Sequence, residues 1–369
     1  MGRVSGSIDY VLLLIVGAIV LFGLAMLLSA SAPGGYAGFG DSYYFVKHQV
    51  IFGFIPGLGA MLVFANVPYT FWQRHAWNLL IISIALLILV FIPGLSADIG
   101  SARSWISVGS AFSLQPSEIV KLTFLFYLCA WLAARDRHSV RDVHAGFVPF
   151  LLALGTIMLL MILQPDVGTM SVIVAMSLVV YFVAGAPVTY VLGLIAAGLG
   201  SLALLISLAP YRAARLTTFL HPELDPQGIG YHINQALLAI GSGGLFGLGY
   251  GHSRQKFQYL PEVGGDSIFA IIGEEMGLVV SVMVVGLFVL FLWRVLKIAQ
   301  GAPDVFAKYV VVGIGAWITI QAFVNIASMV ALMPMTGVPL PFISYGGTSL
   351  AISMAAVGVV LNISKSRSR

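Results

Sequence analysis

The sequence predicts an all-α polytopic membrane protein with ten transmembrane helices and one large extracytoplasmic loop, between the seventh and eighth helices. Three observations predict it. Of 369 residues, 59% are hydrophobic and 9% charged, well outside the composition of soluble domains. Apolar runs recur at the length that crosses a hydrocarbon core, about 20 helical residues. Lys and Arg gather in alternate connections between those runs, as expected when basic loops stay in the cytoplasm.

In windows of roughly nineteen residues, the apolar segments fall near 8–30, 46–66, 77–95, 116–134, 145–163, 166–184, 188–209, 267–293, 308–333 and 346–363. The first follows Arg3 and ends in Ser-Ala-Ser-Ala, as a signal peptide would, but it is too long for such a segment and reads as a membrane helix. Pro116 suits the first turn of the fourth segment, and Pro165 separates the fifth from the sixth. An N-terminus in the cytoplasm puts Arg3, Arg74, Arg135, Arg137, Arg141, Arg294, Lys297, Lys308, Lys365, Arg367 and Arg369 inside. Both termini are then cytoplasmic. The chain forms a single membrane domain, 1–369, whose longest connection, about 210–266, is extracytoplasmic and rich in Gly, Pro and charge; loops of that length are usually functional. Cys129 is the lone cysteine, which excludes an intrachain disulfide. The net charge of +4 comes without a basic cluster on a soluble domain, which excludes nucleic acid as a partner.

Ionisable residues inside such a chain are costly, and so they direct attention. In "QPSEIVKL", Glu118 and Lys121 share a helix face at i, i+3, and Lys121 lies about 7.5 Å along the helix from Pro116. A snorkelling lysine paired with its own glutamate explains them equally well. Asp166, in "LQPDVGT", is an N-cap candidate at the same outer depth, where it could pair with Lys121. Asp266 follows Gly264 and Gly265 at the start of the eighth segment, where it either caps the helix or serves chemistry. Glu274 and Glu275 read as packing groups, with Gln321 and Asn325 as partners.

The long loop carries glycines at 241, 243, 244, 247, 249 and 251, which permit close backbone approach to a ligand. Arg212, Arg215, Arg254 and Lys256 lie beside them and suit a lipid phosphate or pyrophosphate; plain loop flexibility is the alternative for the glycines. The stretch 333–350, "MPMTGVPLPFISYGGTSL", is irregular between two apolar runs, which is tolerated at membrane depth where backbone lines a protein cavity.

With these motifs in order, "QPSEIVKL", "QPDVGT", "AIGSGGLFGLGYGHSRQKFQYLPE", "DSIFAIIGEEMG" and "GVPLPFISYGGTSL", the chain resembles the SEDS family of FtsW, RodA and SpoVE over essentially its whole length. "IGEEMG" and "AFSLQPSE" look closer to FtsW than to RodA. The resemblance implies a peptidoglycan glycosyltransferase of the bacterial inner membrane. It would polymerise lipid II on the outer face, for division or elongation, beside a class B penicillin-binding protein, other division or elongation membrane proteins and membrane lipids. It maps the family's essential aspartate onto Asp266 as general base, and its other site residues onto Lys121, Glu118 and Asp166; Gln115, Arg212, Arg215, Arg254 and Lys256 become candidates for substrate contact. Two departures stand out: Gly264 and Gly265 replace the family's His-Thr, and Lys47-His48-Gln49 replaces Lys-Arg-Gln. No dedicated metal cage is legible, although a divalent cation (Mg or Mn) at the phosphates is compatible with this chemistry. A lipid II flippase and a non-catalytic scaffold for the penicillin-binding protein are the rival readings.

Overall fold

The computed structural model describes residues 7–92, 96–99, 102–108, 112–207, 219 and 228–366. Its longer helices are α1 (Tyr10–Phe39), α2 (Tyr44–Asn66), α3 (Ala76–Leu89), α4 (Pro116–Ala133), α5 (Val143–Leu163), α6 (Val167–Val183), α7 (Val188–Ser207), α8 (Ile229–Gly243), α9 (Ile268–Gln300), α10 (Val305–Met329) and α11 (Gly347–Lys365), with single short turns of helix at Tyr69–Arg74 and Arg137–Arg141. Seven of them, α1, α2, α4, α5, α9, α10 and α11, are long and apolar enough to cross a membrane, while α3, α6 and the Val188–Ser201 part of α7 are shorter apolar helices. The protein is a mostly helical, polytopic membrane protein.

Two features depart from the expected architecture. Between α3 and α4 lies a three-stranded antiparallel sheet, β1 (Ser96–Ile99), β2 (Ala102–Val108) and β3 (Phe112–Leu114), in the order β1-β2-β3. Expecting only helices overlooked the β-favouring residues of "ARSWISV". Pairing Ile106 with Leu114 delivers the chain directly to Gln115 and the start of α4. The long loop, in turn, is not wholly irregular: it carries α8, seated by the buried residues Ile233, Ala236 and Ala239.

Small residues set the helix spacing. α2 packs on α11 through Gly53 and Gly57, and a Cβ on Gly57 would stand 3.0 Å from the Ala351 Cα. A Cβ on Gly358 would stand 2.4 Å from the Met61 carbonyl. The "GFIPG" spacing is the small-xxx-small signature of close membrane-helix contact. Gly313 does the same for α10, where a Cβ would lie 2.4 Å from Leu125 of α4 and 3.1 Å from Val180 of α6. α4 and α10 are the most enclosed helices and form the centre of the bundle.

One end of the bundle is tied by polar groups. Asp9 caps α1, accepting from the Leu12 amide at 2.9 Å, and pairs with Arg294 through two contacts of 2.9 and 2.8 Å. Its own amide donates to Ser364 at 3.2 Å. Asp304 caps α10 and accepts from the Tyr69 hydroxyl at 2.8 Å. The starts of α1 and α10 and the ends of α9 and α11 therefore share this end.

α9 is broken at Gly277, whose φ of 76° and ψ of −176° leave the helical region. The break frees backbone groups that the chain after α8 takes up in a short ladder. Leu248 and Gly249 donate to the carbonyls of Glu274 and Glu275 at 2.9 and 3.0 Å, and Leu278 and Val279 donate to Gly244 and Leu245 at 2.9 and 3.2 Å. A Cβ on Gly243 would lie 1.9 Å from the Gly273 carbonyl, one on Gly247 2.1 Å from the Glu275 carbonyl, and one on Gly277 2.3 Å from the Gly247 amide. Gly243 and Gly247 thus admit the α9 backbone where the sequence suggested a ligand, because a broken helix offers unpaired N–H and C=O groups that only closely approaching backbone can satisfy.

Candidate active site

The site is built on α10. Gln321 and Asn325 stand at i, i+4 on one face, both fully buried, and grip adjacent carbonyls of the irregular 336–346 segment. Gln321 Nε2 donates to Pro339 O at 2.9 Å, and Asn325 Nδ2 donates to Val338 O at 2.8 Å. Each amide also reaches a different ionisable residue. Gln321 Oε1 accepts from Lys121 Nζ at 2.7 Å, while Asn325 Nδ2 donates to the Asp266 backbone carbonyl at 2.7 Å. Side-chain amides can do this because each carries both donors and acceptors, and buried irregular backbone requires such partners.

Lys121 is completely enclosed. Its ammonium lies 2.8 and 2.7 Å from the two Glu118 oxygens and 5.0 Å from the centre of the Trp317 ring. Trp317 donates to the same Gln321 oxygen at 2.8 Å. Lys121 is 0% and Glu118 1% exposed, so this is a desolvated ion pair whose cost is met by its hydrogen bonds and ring contact. The notion of a lysine snorkelling to the interface does not survive this burial.

Asp166 is the helix cap that its position suggested, but it does not pair directly with Lys121. It caps α6 through the Thr169 amide at 3.1 Å and accepts from Ser117 Oγ at 3.0 Å and Gln115 Nε2 at 3.3 Å. The direct partner of Lys121 is Glu118, one turn away on the same helix, and Asp166 acts on it only as a nearby charge. Gly168 presses α6 against the irregular segment, since a Cβ there would lie 2.5 Å from Thr336 O.

Asp266 ends the loop before α9. Ser267 Oγ donates to its Oδ1 at 3.3 Å, and His232 Nε2 of α8 contacts the same hydroxyl at 2.6 Å. Its Oδ2 faces Gly337, 3.9 Å from where a Cβ would sit, and Gly337 has φ 69°. Ser344 Oγ donates to Gly265 O at 2.6 Å, and Tyr345 N donates to Gly264 O at 2.7 Å; these bonds seat the glycine pair that replaces the family's His-Thr. Although the tip of Glu262 reaches solvent, crowding by protein holds its carboxyl above the usual range, the neighbouring Asp266 adds to that, and His232 opposes it.

The predicted phosphate contacts fare unequally. Lys256 is buried, with its ammonium 2.8 Å from Glu275, 3.0 Å from Ser29 and 2.7 Å from the Gly251 carbonyl. Three acceptors match its three protons, so Lys256 is a structural cation and its assignment to substrate is corrected. Arg254 is exposed beside an open depression of about 750 Å³ lined also by His252, Phe257 and Tyr259. Arg212 and Arg215 lie outside the described residues. Glu274 and Glu275 do not meet Gln321 or Asn325. Glu274 accepts from Ser253 Oγ and, at 2.9 Å, from the Arg254 amide. Glu275 accepts from Ser29 at 2.7 Å, the Gly251 amide at 3.1 Å and Lys256. Both are satisfied by the 251–256 turn because the α9 break brings that turn alongside. Among the described residues, no three His, Cys, Asp or Glu are grouped as metal ligands.

Sequence reasoning missed His232, Ser267, Ser117 and Trp317. A local signal existed for Ser117, adjacent to Glu118 in "QPSE", and for Trp317, one turn before Gln321 on α10. The same held for Ser267, adjacent to Asp266; none existed for His232, 35 positions before Ser267.

The family model described as "Cell cycle protein", for FtsW, RodA and SpoVE, matches residues 9–369. Stage V sporulation protein E of Bacillus subtilis (strain 168) is 44% identical over 359 residues, 97% of each chain. A probable peptidoglycan glycosyltransferase FtsW of Trichlorobacter lovleyi is 39% identical, covering 96% of this chain and 93% of the relative. Among solved structures, a chain reported under "Structural coordination of polymerization and crosslinking by a peptidoglycan synthase complex" aligns with TM-score 0.79 at 28% identity, and the rod shape determining protein RodA of Thermus thermophilus with TM-score 0.70 at 28% identity; each alignment covers 98% of both chains. By sequence and by fold, the chain belongs to the FtsW/RodA/SpoVE family.

Proposed function

We propose that this protein is a peptidoglycan glycosyltransferase that polymerises lipid II on the outer face of the bacterial inner membrane. The supporting names are those of its relatives, probable peptidoglycan glycosyltransferases FtsW. The observation that carries the mechanism is the α10 amide pair. Through adjacent carbonyls of one segment, Gln321 and Asn325 couple the buried Lys121–Glu118 pair to the backbone of Asp266.

In this reading the ten apolar helices α1–α7 and α9–α11 all cross the membrane. Both termini lie in the cytoplasm, and the 210–266 loop with α8 lies outside. The shared end of Asp9, Arg294, Asp304 and Ser364 then faces the cytoplasm. Asp266 and the 336–346 segment face the opposite leaflet.

Asp266 takes the proton from the acceptor sugar's 4-hydroxyl as that oxygen bonds to the donor's anomeric carbon. The bond from that carbon to phosphate breaks, and its electron pair leaves with polyprenyl pyrophosphate. A positioned base contributes about 10² to 10⁴ fold. Lys121 is too deeply enclosed to touch phosphate; it acts as a positioning residue that fixes Gln321 and, through it, the wall beside Asp266. Asp166 and Gln115 fix the outer end of α4 in the same way. Arg254 is the exposed cation for pyrophosphate contact. A class B penicillin-binding protein is the proposed partner, supported by the likeness to a chain of a peptidoglycan synthase complex.

A flippase requires polar groups through the membrane thickness. Among the described residues, and apart from Asp9, the buried ionisable groups Glu118, Lys121, Lys256, Glu274 and Glu275 are in the half of the bundle that carries Asp266, which favours the enzyme. The test is polymerisation of lipid II in detergent by the protein with its transpeptidase partner. Wild type yields glycan polymer on a gel and Asp266→Asn yields none. Polymer from both removes Asp266 as the base, and lipid movement without polymer favours the flippase.

A further inference from the structure

Asp266 sits at the end of a loop, where a carboxylate has rotamers to choose from, yet a general base has to present one lone pair in a fixed direction. Its backbone is held by Asn325, and its Oδ1 is reached from α8 through Ser267. His232 Nε2 stands 2.6 Å from Ser267 Oγ, and Ser267 Oγ stands 3.3 Å from Asp266 Oδ1. The direction of both bonds follows from chemistry. An ionised carboxylate only accepts, so the single Ser267 proton goes to Oδ1, and the hydroxyl oxygen must then accept from His232, whose Nε2 carries the proton.

The chain of bonds is well anchored. Ser267 is fully buried, which shields both bonds from competing water. α8 is anchored on the C-terminal side of His232, where Ile233 and Ala236 are buried and, further along, the ladder from Gly244–Gly249 joins the broken α9. His232 is also close enough to Glu262 to act on its charge, which places all four side chains in one cluster.

We propose that His232, acting through Ser267, is a positioning residue for the glycosyl transfer: it locks Asp266 Oδ1 and thereby aims the carboxylate, coupling the seating of α8 to the competence of the base. The proposal rests on the reading of Asp266 as that base.

The test uses the protein with its transpeptidase partner, lipid II as substrate, and His232→Ala, Ser267→Ala, the double variant, His232→Gln and Asp266→Asn. Each alanine variant lowers kcat about tenfold with KM for lipid II within about twofold, since orientation and not binding is lost. The double variant is no slower than the slower single, because both changes cut one chain. His232→Gln, whose amide also donates, recovers to within about threefold of wild type. A wild-type kcat for Ser267→Ala, a double variant whose loss is the product of the singles, or a His232→Gln no better than His232→Ala overturns the proposal. Those outcomes beside an inactive Asp266→Asn sink the positioning role alone; a fully active Asp266→Asn sinks the base assignment and the positioning role together.

Discussion

Lys121 donates to Gln321 at 2.7 Å across 200 residues of sequence, and the same Gln321 amide donates to Pro339 at 2.9 Å. A buried charge is thereby turned into a constraint on irregular backbone at the floor of the site. Removing the amide leaves one carbonyl, one ammonium proton and the Trp317 N–H without their partner, at about 1–3 kcal/mol for each stranded group. Gln321→Ala is therefore expected to lower the thermal midpoint in detergent and to slow lipid II polymerisation about tenfold or more, since misplacement of a catalytic frame is costly. A variant with unchanged midpoint and rate would show the bridge to be idle.

Asp166→Asn separates capping from charge. Asn caps about as well as Asp through its single oxygen, and its Nδ2, standing where Oδ2 stood, donates to the Ser117 hydroxyl, which then accepts, so the thermal midpoint should stay near wild type. The negative charge beside Lys121 is lost, and the polymerisation rate should fall by more than the midpoint change explains. Equal rates would reduce Asp166 to a helix cap.

Lys256 and Arg254, two residues apart, should behave oppositely. Lys256→Met strands Glu275 in a buried site, a change that costs about 3–5 kcal/mol in buried pairs, so folded yield and thermal midpoint should drop. Arg254→Ala should leave the midpoint unchanged and raise KM for lipid II. A Lys256→Met variant of full stability with raised KM would restore its assignment to substrate.

Gly277→Ala should destabilise through two effects: its φ of 76° disfavours any side chain, and a Cβ there would meet the Gly247 amide at 2.3 Å. Backbone in such a region costs about 1–3 kcal/mol, before the clash. Gly286→Ala, on the same helix with nothing within 4 Å of the added Cβ, is the control and should be neutral or better, since Ala is the stronger helix former. Thermal unfolding of both variants decides it.

Glu262 gives a pH dependence of defined sign. Its carboxyl is raised in the folded protein by burial, then by Asp266, against the opposing His232. A raised carboxyl favours the folded state while protonated, and that contribution is lost as pH rises from its unfolded value through its folded one. Glu262→Gln removes the dependence. The variant should melt higher than wild type at pH 7, with the difference shrinking toward pH 4; a constant difference across that range would refute the linkage.

Much of this molecule was legible in one dimension because membrane burial acts on every residue of a span alike. Apolar length alone placed most helix ends to within a few residues, although α1 runs to Phe39 and α9 to Gln300, nine and seven residues past their apolar segments, and α3 stops at Leu89, six short; the prolines and Asp166 marked several ends, and ordered motifs disclosed the family. The pairings were not legible, because a polar side chain in a bundle takes whichever complement the packing brings within about 3 Å, and sequence distance carries no trace of it. Gln321 could have met Glu274 and instead meets Lys121; Lys256 could have met phosphate and instead meets Glu275. The glycines of the long loop were identified as sites of close approach, but the object they approach, the broken backbone of α9 at Gly277, exists only once two segments some 30 positions apart are folded against each other. Composition and order determined that the chain is a polytopic membrane protein and to which family it belongs; tertiary packing alone decided which partner each buried charge takes, since desolvation and partner geometry are properties of the assembled interior.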